Sequence, residues 1–283
     1  ELTIGEKLKV RPGIRASYNS VFSTLPMPSI NFKFSFSEST HLRAGYGRGF
    51  RAPSVRELYH EFIDTNHNII GNPDLQPERS HNFNADLSHT FAKEKLRLNL
   101  SGFYNYIDKR ITLFFVETNQ TTTYTNLLQY KTTGGQLTAN YEYKNLQLAG
   151  GINYTGRYQA LNENFDVPQF LFSPEFNANI SYAVPTVDMR LNLFYKYTGR
   201  LERYALQTDT NSGEQSPFLT EVEAFQLMDI TVNKKIGETI SAAVGVRNAL
   251  DVTTINSTST GSAHGGGPQA PVAYGRSYFL QMN

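Results

Sequence analysis

The chain contains no cysteine, which excludes a disulfide framework, thiolate metal sites and cysteine nucleophiles. It also lacks tryptophan, so its 13 % aromatic content is carried by 17 tyrosines and 19 phenylalanines. The formal net charge is only +1, and this balance gives no argument for a nucleic-acid partner or for long-range steering. No run of about 18 apolar residues occurs, which excludes a transmembrane helix. Glu1 to Lys7 has neither the charged lead nor the apolar stretch of a signal peptide. The expectation is therefore a cytosolic protein, or else a mature form or fragment.

What the chain does have is alternation. Leu8, Val10, Ile14, Ala16 and Tyr18 fall on one side of a period of two, with Lys9, Arg11, Arg15 and Ser17 on the other. Ile30, Phe32, Phe34 and Phe36 repeat the pattern, followed by Leu42, Ala44 and Tyr46. Similar runs occur at His81 to Leu87, Leu96 to Tyr106, Leu137 to Tyr143, Leu146 to Tyr154, Phe176 to Tyr182, Met189 to Tyr197, Val222 to Val232, Ile240 to Val246 and Tyr274 onward. Period two with one apolar and one polar face predicts strands, about twelve of them. The chain is expected to be all-β.

The connections sort by length. Ser37 to Thr40, Ala92 to Glu94, Lys144-Asn145, Val184 to Val187 and Lys234 to Glu238 are short. Between them fall long polar connections: Asn19 to Met27, Phe50 to Glu78, Glu117 to Thr123, Thr155 to Gln169, Gly199 to Thr220 and Asp251 to Pro271. A meander with every second connection short is the pattern of an antiparallel transmembrane β-barrel. Aromatics at run ends, such as Tyr18, Phe36, Tyr104, Tyr143, Tyr154 and Tyr182, match interfacial girdles. The competing reading is a soluble sandwich or solenoid with the aromatics in its core.

Phe50 to Glu78 is the longest connection that also holds many apolar residues (Leu58, Tyr59, Phe62, Ile63, Ile69, Ile70), and three prolines punctuate it (Pro53, Pro73, Pro77). Gly47-Arg-Gly-Phe-Arg-Ala-Pro53, Glu57-Leu-Tyr59 and Gly71-Asn-Pro-Asp-Leu-Gln-Pro-Glu78 resemble the FRAP and NPDL boxes of TonB-dependent outer-membrane receptors. Val244 to Val252 and Gly275 to Met282 are similar to that family's last two strands. The resemblance implies a plugged barrel of about 22 strands, with residues 1–283 as its C-terminal portion and the plug domain and first strands absent. It implies active uptake of a scarce nutrient across the outer membrane of a Gram-negative bacterium. An iron chelate, siderophore or haem, is the expected cargo, with cobalamin as the alternative. The implied partners are outer-membrane lipid, the protein's own plug, the TonB energy-transducing complex and a small-molecule ligand. Nucleic acid is not among them, and no cofactor is implied. A passive porin or adhesin barrel is the reading outside the family.

Within the resemblance, Phe50, Arg51, Ala52, Pro53, Asn72, Pro73, Asp74 and Leu75 form the clamp of the loop. His60 and His67 lie between the two boxes, where haem-binding members carry a histidine, and either is a candidate iron ligand. Asp64, Asn68 and His264 are further ligand candidates, the last in Gly261-Ser-Ala-His-Gly-Gly-Gly267. Asp64 to Asn68 imitates the start of a calcium loop, but Ile69 and Leu75 occupy the positions that need Gly and a bidentate Glu. No Gly-x-Ser-x-Gly elbow or spaced triad is present, so no enzyme is expected.

Overall fold

The computed structural model describes residues 1–64, 68–91, 93, 95–116, 121–160, 170–208, 215–237, 239–258 and 269–282. In chain order the elements begin with β1 (Leu2–Ile4), β2 (Leu8–Arg15), β3 (Met27–Ser35), β4 (Thr40–Arg51), α1 (Val55–Tyr59), β5 (Glu61–Ile63) and β6 (Asn68–Ile70). There follow β7 (Glu78–Phe91), β8 (Leu96–Val116), β9 (Thr121–Tyr143), β10 (Leu146–Ala160), β11 (Leu171–Val184) and β12 (Met189–Thr198). The last are β13 (Leu201–Thr208), β14 (Gln215–Val222), β15 (Phe225–Ile236), β16 (Ile240–Arg247), β17 (Thr254–Asn256), β18 (Gln269–Pro271) and β19 (Ser277–Met282).

One 15-stranded sheet dominates, with order β1-β2-β3-β4-β7-β8-β9-β10-β11-β12-β15-β16-β19. Since β5 and β6 lie off this path, thirteen strands form a wall in which each is antiparallel to the next. Alternation predicts about twelve; the additional strand is β1, whose three residues are too few to show a period. The wall is a partial barrel, with β1 and β19 as its two edges.

Register explains why the sheet has two unlike faces. One cross-strand row runs Leu8, Phe34, Leu42, Leu87, Leu100, Leu137, Ile152, Phe176, Tyr197, apolar throughout. The row beside it runs Lys9, Lys33, Arg43, Asp86, Ser101, Gln136, Asn153, Glu175, Thr198, polar throughout. A one-residue slip at any strand would exchange the faces, so the pattern pins the register.

Among the described residues, no second layer covers the apolar face. The buried hydrophobic residues among those described are only Met27, Leu58, Leu75, Ile111 and Leu127, whereas Leu87, Leu100, Leu137, Ile152, Ile180, Val244 and Leu280 are exposed. In water such a surface would be a liability; in a bilayer it is the lipid contact. This rules out the soluble sandwich. Aromatics bracket the aliphatic band, with Phe34, Phe36, Tyr141, Tyr143 and Tyr182 toward the short turns and Tyr46, Phe83, Tyr104, Tyr154 and Phe172 toward the long loops. Phe172 and Tyr182 lie ten residues apart on β11. At about 3.3 Å per residue and a tilt of about 40°, that step spans about 25 Å, the height of a barrel's apolar band.

Three expected boundaries move. The run from Val222 to Val232 is broken, because the Glu223 N–H bonds to the Asn256 carbonyl at 2.9 Å and separates β14 from β15. The last strand starts at Ser277 rather than Tyr274, whose carbonyl is taken by the Asn248 side chain. The connection Gly199 to Thr220 contains most of a β13–β14 hairpin.

Candidate functional site

β8 and β9 are the longest strands, at 21 and 23 residues. Among the described residues, β7 pairs with β8 as far as Asp108, and β10 pairs with β9 as far as Gln129. Beyond those points the β8–β9 ribbon stands out of the wall on the long-loop side, and the connection between β4 and β7 folds onto it. β6 adds to β9 in parallel, Ile69 opposite Thr122 and Ile70 opposite Thr123.

The local sequence explains the platform. Ser54 caps α1: its hydroxyl accepts the Glu57 N–H at 3.2 Å, while the Glu57 carboxylate accepts the Ser54 N–H at 2.7 Å. This reciprocal box satisfies two helix-end donors. Gly71 then passes so close to the helix end that a Cβ there would sit 2.7 Å from the Leu58 carbonyl carbon and from the Tyr59 nitrogen. Its N–H donates to the His60 carbonyl at 2.6 Å, and the Asn72 N–H donates to Glu57 O at 2.8 Å. Leu75, 2 % exposed, packs with Leu58 and Ile111, and Phe22 and Tyr124 close over them.

Polar side chains finish the attachment. Asn72 Nδ2 donates to the Tyr124 carbonyl at 2.9 Å, and Asn72 Oδ1 accepts the Asp74 N–H at 2.9 Å. Asn126 accepts the Gln76 N–H at 2.8 Å and donates to the Lys109 carbonyl at 2.7 Å. Arg51 ties the loop's base: Nη1 donates to both Glu57 carboxylate oxygens at 2.9 Å, and Nη2 to Glu78 Oε1 at 2.7 Å. Burial alone would raise the Glu57 carboxyl, but bonds from the Ser54 N–H, Arg51 and the Ser54 hydroxyl outweigh it and hold Glu57 below its ordinary value of 4.5.

Arg51, Asn72, Asp74 and Leu75 are therefore brought together at the base and core of the platform; Pro53 is buried, Ala52 half-buried and Pro73 exposed, while Phe50 is the penultimate residue of β4, facing Arg79 in the sheet. His60 is half-buried and follows α1, its ring stacked on Phe62 at 6.1 Å between centroids. Asn68 Nδ2 donates to Thr121 Oγ1 at 2.8 Å, so this amide serves the β6–β9 contact. Asp64 lies at the tip, just past β5. His67 and His264 fall outside the described residues. Among the described residues no group of three His, Asp or Glu side chains is placed to hold a metal ion.

A second clamp serves the chain's end. Asn248, buried and at φ 49°, donates through Nδ2 to the carbonyls of Val252 and Tyr274 at 2.9 and 3.0 Å. The lumen face carries Lys9, Lys33 and Arg43 on consecutive strands, with Arg43 3.6 Å from Asp86. Sequence reading missed a cluster of three arginines and three tyrosines near the loop ends of β8, β9, β10 and β13. Its members are spread from Arg110 to Tyr204, and the only signal in the sequence is that Arg and Tyr recur near strand ends.

The comparisons with known proteins agree with this architecture. Residues 1–249 match the family model described as TonB dependent receptor-like, beta-barrel. The chain is 27 % identical over 198 residues to the iron-regulated outer membrane virulence protein of Vibrio cholerae, covering 64 % of this chain and 30 % of that protein. In structure it is similar to the siderophore receptor PirA from Acinetobacter baumannii, with TM-score 0.69, 18 % identity, and coverage of 99 % of this chain and 43 % of that one. It is likewise similar to the ferric enterobactin receptor PfeA from Pseudomonas aeruginosa, with TM-score 0.70, 15 % identity and coverage of 99 % and 43 %. The chain thus spans less than half the length of these relatives. A one-layer wall with an apolar outer face, loops sorted by length and a match over residues 1–249 place the chain in the Gram-negative outer membrane, and it belongs to the TonB-dependent receptor-like β-barrel family.

Proposed function

We propose that this chain is the C-terminal wall of an energy-coupled receptor that takes up an iron chelate, siderophore or haem, through the outer membrane. The observation that carries the reading is the platform built from Phe50 to Glu78: a preorganised, polar and aromatic surface raised above the wall on the long-loop side, where a ligand from the medium would arrive. Preorganisation lowers the cost of capturing a dilute ligand. The relative named for iron regulation supports iron as the cargo. A polar lumen wall suits an inserted plug domain, and family membership supports the TonB complex as the energy source.

Deleting the gene and feeding iron-starved cells single ferric siderophores, haem or cobalamin tests this directly. Loss of growth on one ferric chelate, restored by the gene but not in a strain lacking TonB, is expected. Loss on cobalamin alone would move the receptor to that cargo, and TonB-independent uptake would make it a passive barrel. For haem, a shifted Soret band in the His60→Ala or His67→Ala receptor identifies an axial ligand; unchanged spectra in both remove these histidines from the site.

A further inference from the structure

The two long connections nearest the chain's end rise side by side. The first leaves the wall at Thr198 and returns at Phe225, which face each other across β12 and β15; the second leaves at Arg247 and returns at Ser277, which face each other across β16 and β19. Since β15 pairs with β16, the four feet stand on neighbouring strands. Each connection carries a hairpin that lies outside the wall, β13–β14 in the first and β17–β18 in the second.

A joint links the two hairpins. The Glu223 N–H donates to the Asn256 carbonyl at 2.9 Å and the Thr258 N–H donates to the Glu221 carbonyl at 2.9 Å, with Val222 opposite Ser257 between them in an antiparallel bridge. Side chains reinforce it. The Glu223 carboxylate accepts from Asn256 Nδ2 at 2.7 Å and from the Asn256 N–H at 3.3 Å, and the Thr258 hydroxyl accepts the Glu221 N–H at 2.8 Å. Arg200, at the base of β13, reaches the Glu221 carboxylate at 3.3 Å. Thr220, beside the joint, is 1 % exposed and donates to the Arg203 carbonyl at 3.0 Å. Residues 221–223 and 256–258 thus run as an antiparallel pair, and β13-β14-β17-β18 is one four-stranded outer sheet.

Strand number decides what this joint does. A lone two-stranded hairpin is marginal in water, and three or more strands are needed for independent stability. The β17–β18 pairing has three rungs, Thr254 to Asn256, and is too short to hold by itself. Its order therefore depends on β14, which belongs to the other connection.

We propose that the two connections form one cooperative arm: their hairpins order and open together, so that a contact made by either one steadies both. Protein segments open in contiguous units, and a ligand that binds only the ordered arm stabilises all of it. The coupling is a property of the joint and stands whether the cargo is an iron chelate or another nutrient.

Amide hydrogen exchange of the full-length receptor in detergent, read by mass spectrometry, tests the coupling. Glu223→Ala combined with Thr258→Val removes the side-chain bonds of the joint. The reporters are β13 and β18, because neither carries a substituted residue. Exchange is expected to rise about tenfold or more in both, since two of the lost bonds are to a carboxylate, while β12 and β15 of the wall keep their wild-type rates. The reciprocal variant is Thr220→Val, which lies in the first connection and should speed exchange in β18 of the second. If the double variant does not fold, judged by heat-dependent electrophoretic mobility, Thr258→Val alone decides, because it preserves shape. A rise confined to the hairpin that carries the substitution, no rise in either reporter, or an equal rise in the wall overturns the proposal. Uptake plays no part in this readout, so failure of the cargo reading and failure of the coupling are told apart.

Discussion

Arg51 and Glu57 stand six residues apart and meet in a fork, one guanidinium nitrogen lying 2.9 Å from both carboxylate oxygens. The other terminal nitrogen reaches Glu78, whose Oε1 also accepts the Ile111 N–H at 2.8 Å. One side chain thus joins the entry of the platform to its exit, and through Glu78 to β8. Arg51→Ala leaves two carboxylates facing each other. The expected cost is about 1 to 3 kcal/mol for the lost bonds to charged groups, confined to the platform. Hydrogen exchange should rise across α1, β5 and β6 while the wall amides stay protected; exchange rising equally in the wall would show that Arg51 holds the barrel itself.

Leu75 and Gly71 separate packing from backbone approach. Leu75→Ala empties the centre of the small core formed with Leu58 and Ile111, and buried Leu→Ala changes cost about 2 to 5 kcal/mol. Gly71→Ala adds a methyl against backbone atoms of Leu58, Tyr59 and His60 that cannot rotate away, at about 1 to 3 kcal/mol. Both should expose the platform to protease. Protection equal to wild type in Gly71→Ala would mean that the helix end shifts freely.

The faces of the wall were legible in the sequence because side-chain direction in a strand has period two, so Leu96, Leu98 and Leu100 declare their side without any partner being known. Turn chemistry was legible at Lys144-Asn145, where Lys144 takes φ 50° between Tyr143 and Leu146. The parallel pairing of Ile69 with Thr122 was hidden, since it joins strands about fifty residues apart by backbone groups that every residue carries. The Arg110, Arg157 and Arg203 cluster was hidden for a related reason: each residue looks like an ordinary polar strand end until the strands are set side by side. The two boxes stood out as residues, and they are consumed in bonds and packing within the loop and onto β8 and β9; His60 stacks on Phe62.

The Glu57 carboxyl gives the platform a pH dependence of definite sign. Its folded value lies below the ordinary 4.5, so the native state binds the proton less readily than the unfolded chain. The stabilisation is complete above 4.5 and is lost as pH falls through the folded value. Pepsin cleavage between Phe50 and Glu78 should therefore rise at the lowest pH values in wild type. Glu57→Gln should already be open near pH 5 and lose that acid-dependent increase attributable to this group. A wild-type platform that loosens instead as pH rises would contradict the assignment.

Asn248 provides a test in which two requirements pull apart. Its backbone sits at φ 49°, in the left-handed region that glycine accepts most readily. Its side chain meanwhile holds both sides of the last long connection: Nδ2 donates to Val252 and Tyr274, Oδ1 accepts the Val252 N–H at 3.0 Å, and the backbone N–H donates to Asp229 Oδ1 at 2.8 Å. Asn248→Gly satisfies the backbone and removes the three side-chain bonds. Asn248→Asp keeps the acceptor but turns a carboxylate toward two carbonyl oxygens, with the Asp229 carboxylate close by. Because a buried group facing like-signed partners costs more than one simply deleted, Asp is expected to be worse than Gly by about 1 to 3 kcal/mol. Urea midpoints of the refolded receptor measure the order. Asp equal to or better than Gly would mean that backbone conformation, and not donation to Val252 and Tyr274, is why asparagine stands at the end of β16.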